Sequence, residues 1–274
     1  MFSMDAVRRV YDLYAETKLE KRAIGASALG APIVAFHAGS HSRPQLLVQC
    51  AMHAREWVTA LLGLEFLRQG VPRGGMWVIP LVNPDGARIA LRGERFVRTL
   101  PPLRARFLRG AGGFPLWKGN ADGVDLNVNF DARWGKGRRN VFSPAAENYV
   151  GPMPCSARET RALCAFTRAL MPDATVSYHT KGEEIYWEFC GRGDSALAEA
   201  LSAETGYPLA RAEGSCGGYK DWCLTALNIP SFTVEAGSDA LEHPLTEAAL
   251  PSLWAANAGV PAALIKELIC RKTR

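Results

Sequence analysis

An α/β fold, with a mixed, mostly parallel central sheet and helices on both faces, is predicted by three features of the sequence. Short runs rich in Val, Ile and Leu alternate with helical stretches, the pattern of a sheet wound between helix layers. Several of these runs are apolar throughout, as strands covered on both faces are. The polar residues that look chemical stand at the C-terminal ends of the runs, where α/β sheets bind ligands. The 274 residues are 48% hydrophobic, enough to bury a large core without disulfides. No internal repeat or linker divides them, so one domain over 1–274 is expected.

The elements follow in order. Residues 32–37 and Gln45–Cys50 read as strands, and 56–69 as a helix whose apolar face carries Val58, Leu61, Leu62 and Phe66 before Gly70 and Pro72 stop it. Residues 75–82 form an apolar run that ends in the turn signal Asn83-Pro84-Asp85-Gly86. The stretch 93–148 is rich in Gly, Arg and Pro and reads as a long functional loop. Ser156-Ala157-Arg158-Glu159 fits a capping box that opens a helix through Leu170. Residues 175–179 and Ser231–Glu235 read as buried strands, and 245–272 as a mostly helical close.

Composition narrows the function classes. There are 32 Lys and Arg against 27 Asp and Glu, a net charge of +5. The basic residues are richest over 92–109 and 133–139 but form no dense block, so a nucleic-acid partner is not expected. Those stretches are either solvated loops or a mouth that attracts an acidic substrate. No apolar run reaches the roughly 18 residues of a membrane span. Met1-Phe2-Ser3-Met4-Asp5 lacks the basic and apolar regions of a signal peptide. Seven scattered cysteines, odd in number and without a CxxC pair, suit reduced thiols, and a cytoplasmic protein is expected. Cys50 and Cys164 read as small core residues.

The chemistry gathers around His53-Ala54-Arg55-Glu56, directly after the strand Gln45–Cys50. His and Glu two residues apart at a strand-to-helix junction can face one metal ion. Of the other histidines, His179 closes a strand; His37 and His41 lie on a turn beside Gly39, and His243 precedes Pro244 in a polar loop. Two His and one Glu form a recurring catalytic zinc set with a fourth position open. Glu235 ends another apolar strand, where a carboxylate needs a partner. Asp85, Asn127 and Asn129 add polar groups in turns.

These residues resemble the zinc carboxypeptidase family, the pancreatic-carboxypeptidase-like metallopeptidases. The resemblance rests on His53-Ala54-Arg55-Glu56-Trp57, Asn83-Pro84-Asp85-Gly86, Gly123-Val124-Asp125-Leu126-Asn127, the strand ending at His179, Gly217-Gly218 with Asp221-Trp222, and Thr233-Val234-Glu235, all in order. It implies one zinc ion per chain, held by His53, Glu56 and His179. It makes Glu235 the general base and then the acid. The cation for the oxyanion, an Arg after a Trp in the family, corresponds to Lys118 after Trp117, a point charge in place of a fork. Arg55 is implied as a substrate contact and Asp125 as a partner that orients a zinc-binding His.

The departures from the family bear on substrate. Asn127 is followed by Val128, where the family carries the Arg that clamps a C-terminal carboxylate. The pocket tyrosine before Gly-Gly has no counterpart, and Tyr219 follows the pair instead. Lys220 falls at the side-chain specificity position, and Lys181 lies two residues past His179. Together with Asn127, these imply a site for a small acidic peptide. The segments Asp125–Asp131 and Tyr178–Glu183 resemble a bacterial subgroup of γ-D-glutamyl-meso-diaminopimelate peptidases, which cut murein stem peptides. An ordinary carboxypeptidase, an N-acyl amino acid deacylase on the same scaffold and a non-catalytic murein-peptide binding module remain as alternatives. Oligomeric state is left open.

Overall fold

The structure, a computed structural model, describes residues 5–272; the signal-peptide reading of residues 1–4 lies outside the described residues. The chain opens with α1 (Ala6–Glu16), capped by Asp5, whose carboxylate accepts the Val7 N–H at 2.9 Å. Next come β1 (Lys21–Ala26), β2 (Pro32–Gly39), β3 (Gln45–Cys50), a 3-10 turn at Ala54–Glu56 and α2 (Val58–Gln69). β4 (Gly75–Ile79) leads into α3 (Pro84–Arg92), α4 (Glu94–Val97) and α5 (Pro102–Ala111). A long irregular stretch with a 3-10 turn at Leu126–Val128 then reaches α6 (Arg158–Leu170) and β5 (Ala174–His179). The remainder is β6 (Glu184–Tyr186), β7 (Glu188–Phe189), β8 (Arg192–Gly193), α7 (Ser195–Thr205), β9 (Leu209–Ala210), α8 (Tyr219–Trp222), β10 (Ser231–Glu235), α9 (Leu250–Asn257) and α10 (Val260–Lys272).

Eight strands form one sheet in the order β1-β2-β4-β3-β5-β10-β6-β9. Its centre, β4-β3-β5-β10, is parallel; β2 joins β4 and β6 joins β10 antiparallel, and β9 runs parallel to β6. This is the mixed, mostly parallel sheet that the sequence predicts. Side chains alternate between two cores. Leu46, Val48, Val176, Tyr178, Phe232 and Val234 face α1, α2, α7, α9 and α10. Leu47, Trp77 and Ile79 face α6 and α8 on the opposite side. Each large apolar side chain so buried contributes roughly 1.5–3 kcal/mol.

Several local expectations change. β1 was not foreseen, because an edge strand of sequence Lys-Arg-Ala-Ile-Gly-Ala with exposed positions has no apolar run to read. The strand 75–82 stops at Ile79, and the stretch 93–148 contains α4 and α5. The helix expected to begin at 56 begins at Val58, because 54–56 form a separate 3-10 turn. His37 lies within β2 and is buried, so it is not on a turn. The capping box is not formed: α6 starts at Arg158 after Ala157, which makes no side-chain cap. Tertiary partners take both halves of the box. The Ser156 hydroxyl accepts from Asn129 Nδ2 at 2.9 Å, while Glu159 accepts from the Ala28 N–H at 2.8 Å and from Asn120 Nδ2 at 3.1 Å.

The close of the chain is two helices in succession. Within the helical stretch Glu247–Arg271 an 18-residue segment reaches a mean hydropathy of 1.3, long and apolar enough by length and composition alone to cross a membrane. Here it is docked on the sheet: Leu253, Val260, Leu264 and Ile265 are buried in the first core, and Arg271 pairs with Asp194 at the start of α7 at 2.6 Å.

The register fixes where chemistry can occur. β5 and β10 pair in parallel with Glu235 opposite His179, so both side chains reach the same sheet edge. β3 lies on the other side of β5, with Cys50 opposite Tyr178, and the turn after it carries residues 53–56 to that edge.

Glu159 ties the β1–β2 turn to the loop that leads into the site, accepting from the Ala28 N–H and Asn120 Nδ2, which have no other acceptor among the described residues. Glu159→Ala is expected to lower unfolding free energy by about 2–4 kcal/mol, the loss of two hydrogen bonds to a buried carboxylate, measured by chemical denaturation. A change below about 0.5 kcal/mol would show that this tie is not structural.

Candidate metal centre and active-site cleft

His53, Glu56 and His179 converge with their metal-binding atoms inward. His53 Nδ1 lies 2.9 Å from Glu56 Oε1, His179 Nδ1 2.9 Å from Glu56 Oε2, and the two Nδ1 atoms are 3.0 Å apart. All three residues are buried, and their ligand atoms fall within 4.8 Å of one another. Burial opposes ionisation of Glu56, but the two imidazoles outweigh it and hold the carboxyl well below the usual range. Burial works against charge on His53 too, and Glu56 outweighs it, raising its pKa. Two imidazole nitrogens and a carboxylate pressed together in a dry space need positive charge between them. That arrangement and donor set fit zinc.

The ligands are held from behind by Asp125, which is fully buried. Its Oδ1 lies 3.3 Å from His53 Nε2 and accepts the Asn127 N–H at 3.1 Å. Its Oδ2 lies 2.8 Å from Lys118 Nζ and accepts the Asn148 N–H at 3.1 Å. Burial alone would raise Asp125, but Lys118 and His53 hold it well below the usual range. Reciprocally, burial would lower Lys118, yet Asp125 outweighs it and Lys118 stays a cation. Asp125 therefore leaves His53 Nδ1 facing inward and fixes Lys118 beside the ligands.

Glu235 stands next to His179 across the β5–β10 ladder. Burial pushes its carboxyl up to about 7, with His179 opposing and Glu56 adding. A carboxyl poised there can take a proton and give it back.

A cleft of about 560 Å³ opens from this group, with His53, Lys118 and Glu235 on its wall. Asn127, Val128, Thr233, Tyr186, Lys220 and Asp221 continue it, and residues 137–140 and 211–215 complete it. Lys220 is on the wall, but not as the bare cation that the sequence suggests. Its ammonium donates to Asp221 Oδ1 at 2.6 Å and to the Glu188 carbonyl at 2.8 Å. Asp221 is itself buried and takes up that charge.

Other anticipated contacts are placed elsewhere. Tyr219 is fully buried in the second core, packed on Phe130 and Trp222 with its hydroxyl 2.8 Å from Thr167 Oγ1, so it does not reach the cleft. Arg55 is not among the residues that line the cleft; it donates to the Leu116 carbonyl and pairs with Glu147. Lys181 pairs with Asp239 at 2.7 Å and is not on the cleft wall. Asn127 does line the cleft, and its Oδ1 accepts the Tyr219 N–H at 3.1 Å.

Sequence reasoning missed Tyr186; the basic stretch 133–139, read as either a solvated loop or a mouth for an acidic substrate, brings Gly137, Arg138 and Arg139 to the cleft wall, with Asn140 beside them. Tyr186 donates to Glu184 Oε2 at 2.7 Å, and burial raises its phenol. It sits in a three-residue strand whose pairing with β10, Tyr186 opposite Thr233, is visible only once the sheet is assembled.

The fold and this site define a zinc metallopeptidase, a carboxypeptidase-like hydrolase. The chain belongs to the zinc carboxypeptidase family, which it matches over residues 14–203. It is 30% identical over 251 residues to gamma-D-glutamyl-L-diamino acid endopeptidase 1 of Lysinibacillus sphaericus, covering 84% of this chain and 63% of that protein. The chain thus spans a little under two thirds of that relative. It is 31% identical over 223 residues to murein peptide amidase A of Escherichia coli (strain K12), covering 77% of this chain and 78% of that one. The solved structure of bovine thrombin-activatable fibrinolysis inhibitor, in complex with tick carboxypeptidase inhibitor, shares the fold with a TM-score of 0.77 at 19% identity, covering 97% of this chain and 95% of that one.

Lys118 is the cation held nearest the ligands, so Lys118→Ala is expected to lower kcat by roughly 10²–10³-fold, the cost of removing an oxyanion partner, with zinc content unchanged by elemental analysis. Lys118→Arg should restore much of the rate. Retention of more than a third of the activity in the alanine variant would remove Lys118 from catalysis.

Proposed function

We propose that this peptidase hydrolyses the γ-D-glutamyl–diaminopimelate amide of murein stem peptides, using one zinc ion per chain. The observation that carries this reading is Val128 on the cleft wall, where the family's carboxylate-clamping Arg would stand. An exopeptidase that grips a C-terminal carboxylate at that position needs a donor there, and valine has none. The γ-D-glutamyl substrate differs in kind: its glutamate is joined through the side chain, so a free carboxylate flanks the scissile amide. The names of the two bacterial relatives, one acting on a γ-D-glutamyl-diamino acid and one on murein peptides, support the same class.

His53, Glu56 and His179 would hold the zinc. When bound, zinc supplies Lewis acidity, polarising a carbonyl and making water nucleophilic at neutral pH. Glu235 takes the proton of the attacking water and returns it to the departing amide nitrogen. Lys118, fixed by Asp125, faces the oxygen on which charge develops. Asn127 and Thr233 line the space beside the scissile bond. A reducing, cytoplasmic setting belongs to the same proposal, which the scattered cysteines without a CxxC pair suit.

The test is a mass-spectrometric digest of L-Ala-γ-D-Glu-meso-diaminopimelate and, separately, of hippuryl amino acids, with and without a chelator. Chelator-sensitive release of diaminopimelate is expected, with Glu235→Gln losing roughly 10²–10⁴-fold in rate while retaining zinc. Cleavage of the hippuryl series alone would make this an ordinary carboxypeptidase. Cleavage of neither, with small N-acyl amino acids deacylated instead, would make it a deacylase.

A further inference from the structure

The cations on the cleft wall divide into two groups. Lys118 is met by Asp125, Lys220 by Asp221, and Arg211 by Glu188 at 3.3 Å. Arg138 and Arg139 are exposed, line the same cleft, and have no ion-pair partner among the described residues. Asn140 follows them on the wall, and its Nδ2 is a buried donor with no hydrogen-bond partner. Arg-Arg-Asn therefore presents two guanidinium forks and an idle amide to one space. The acidic side chains on that wall are Glu235, Asp221, which is taken by Lys220, and Glu213.

The segment is placed by the fold. The Arg138 N–H donates to the Gly214 carbonyl at 2.9 Å, and the Asn140 N–H closes a turn on the Gly137 carbonyl at 3.2 Å. The Arg138 guanidinium lies across Gly214, where any Cβ would collide with it, and Gly214 has φ of +75°, a conformation that glycine tolerates. Backbone and glycine together leave a berth for this one side chain.

We propose that Arg138, Arg139 and Asn140 form a carboxylate-binding subsite that takes the free α-carboxylate of D-Glu, on the acyl side of the scissile amide. The chemistry is a charge-assisted, bidentate guanidinium–carboxylate contact, which selects an acid over its neutral amide. The subsite rests on the acidic-peptide reading of the cleft and deepens it.

The experiment compares L-Ala-γ-D-Glu-meso-diaminopimelate with the same tripeptide amidated at the α-carboxylate of D-Glu, in wild type and in Arg138→Ala/Arg139→Ala. Both side chains are exposed, so folding should survive; circular dichroism and zinc content check this. Wild type is expected to prefer the acid. In the double variant the ratio of kcat/KM for acid over amide should fall roughly 10- to 100-fold, mostly through KM, as loss of charge-assisted hydrogen bonds implies. Arg138→Lys/Arg139→Lys should keep part of the preference, since it keeps charge and loses the fork. A wild-type preference undiminished in the alanine variant overturns the subsite and leaves the substrate reading standing. Equal cleavage of acid and amide by wild type also overturns it. Failure of wild type to cleave either tripeptide removes the substrate reading, and the subsite with it.

Discussion

Asp125 has no exposed surface, and a carboxylate so placed persists only where its charge is met on every side. It is met by His53, Lys118 and the backbone N–H groups of Asn127 and Asn148. Each partner comes from a different part of the chain. The turn after β3 brings His53, the loop after α5 brings Lys118, and the irregular stretch beyond supplies the two backbone donors. One buried charge therefore decides which nitrogen His53 turns to the metal, where the nearest cation stands, and how the wall bearing Asn127 and Val128 approaches the sheet edge. The sheet contributes the other half: parallel pairing of β5 with β10 sets His179 and Glu235 side by side.

Charge in the cleft is arranged by the same economy. Buried ions come in pairs: Lys118 with Asp125, Lys220 with Asp221, and the His-Glu-His cluster around a space that suits a cation. Such pairs hold geometry, and little net field escapes them. Cations without partners sit at the exposed part of the wall, where solvent lowers the cost of leaving a guanidinium unpaired and a ligand can reach it. A net charge of +5 thus says less about substrate than the question of which basic residues are left unmatched.

The central strands were legible because strands buried on both faces must be apolar, and the ligand set was legible because His53, Glu56, His179 and Glu235 stand at the ends of those strands. What escaped depends on partners remote in sequence. Ser156 and Glu159 look like a local capping box until Asn129, Ala28 and Asn120 claim them. Tyr219 looks available beside Gly217-Gly218, yet α8 rotates it into the second core. Lys220 looks like a free charge, although its neutraliser is the next residue in the chain. β1 carries no periodic signal because an edge strand with exposed positions need not be apolar. Arg138 and Arg139 lie in a stretch that composition reads equally as solvated loop or as a mouth for an acidic substrate, and their place on the cleft depends on Gly214, far along the chain.

The most direct test of the Asp125 constraint is Asp125→Asn, followed by zinc affinity through chelator competition and by kcat/KM at saturating zinc. Asparagine keeps the shape and loses the charge that binds His53 and Lys118. Zinc affinity is expected to fall roughly 10- to 100-fold, the usual cost of losing a partner behind a metal ligand. Activity should stay depressed after zinc is restored, because Lys118 is no longer fixed. Wild-type zinc affinity together with wild-type activity in this variant would contradict the account.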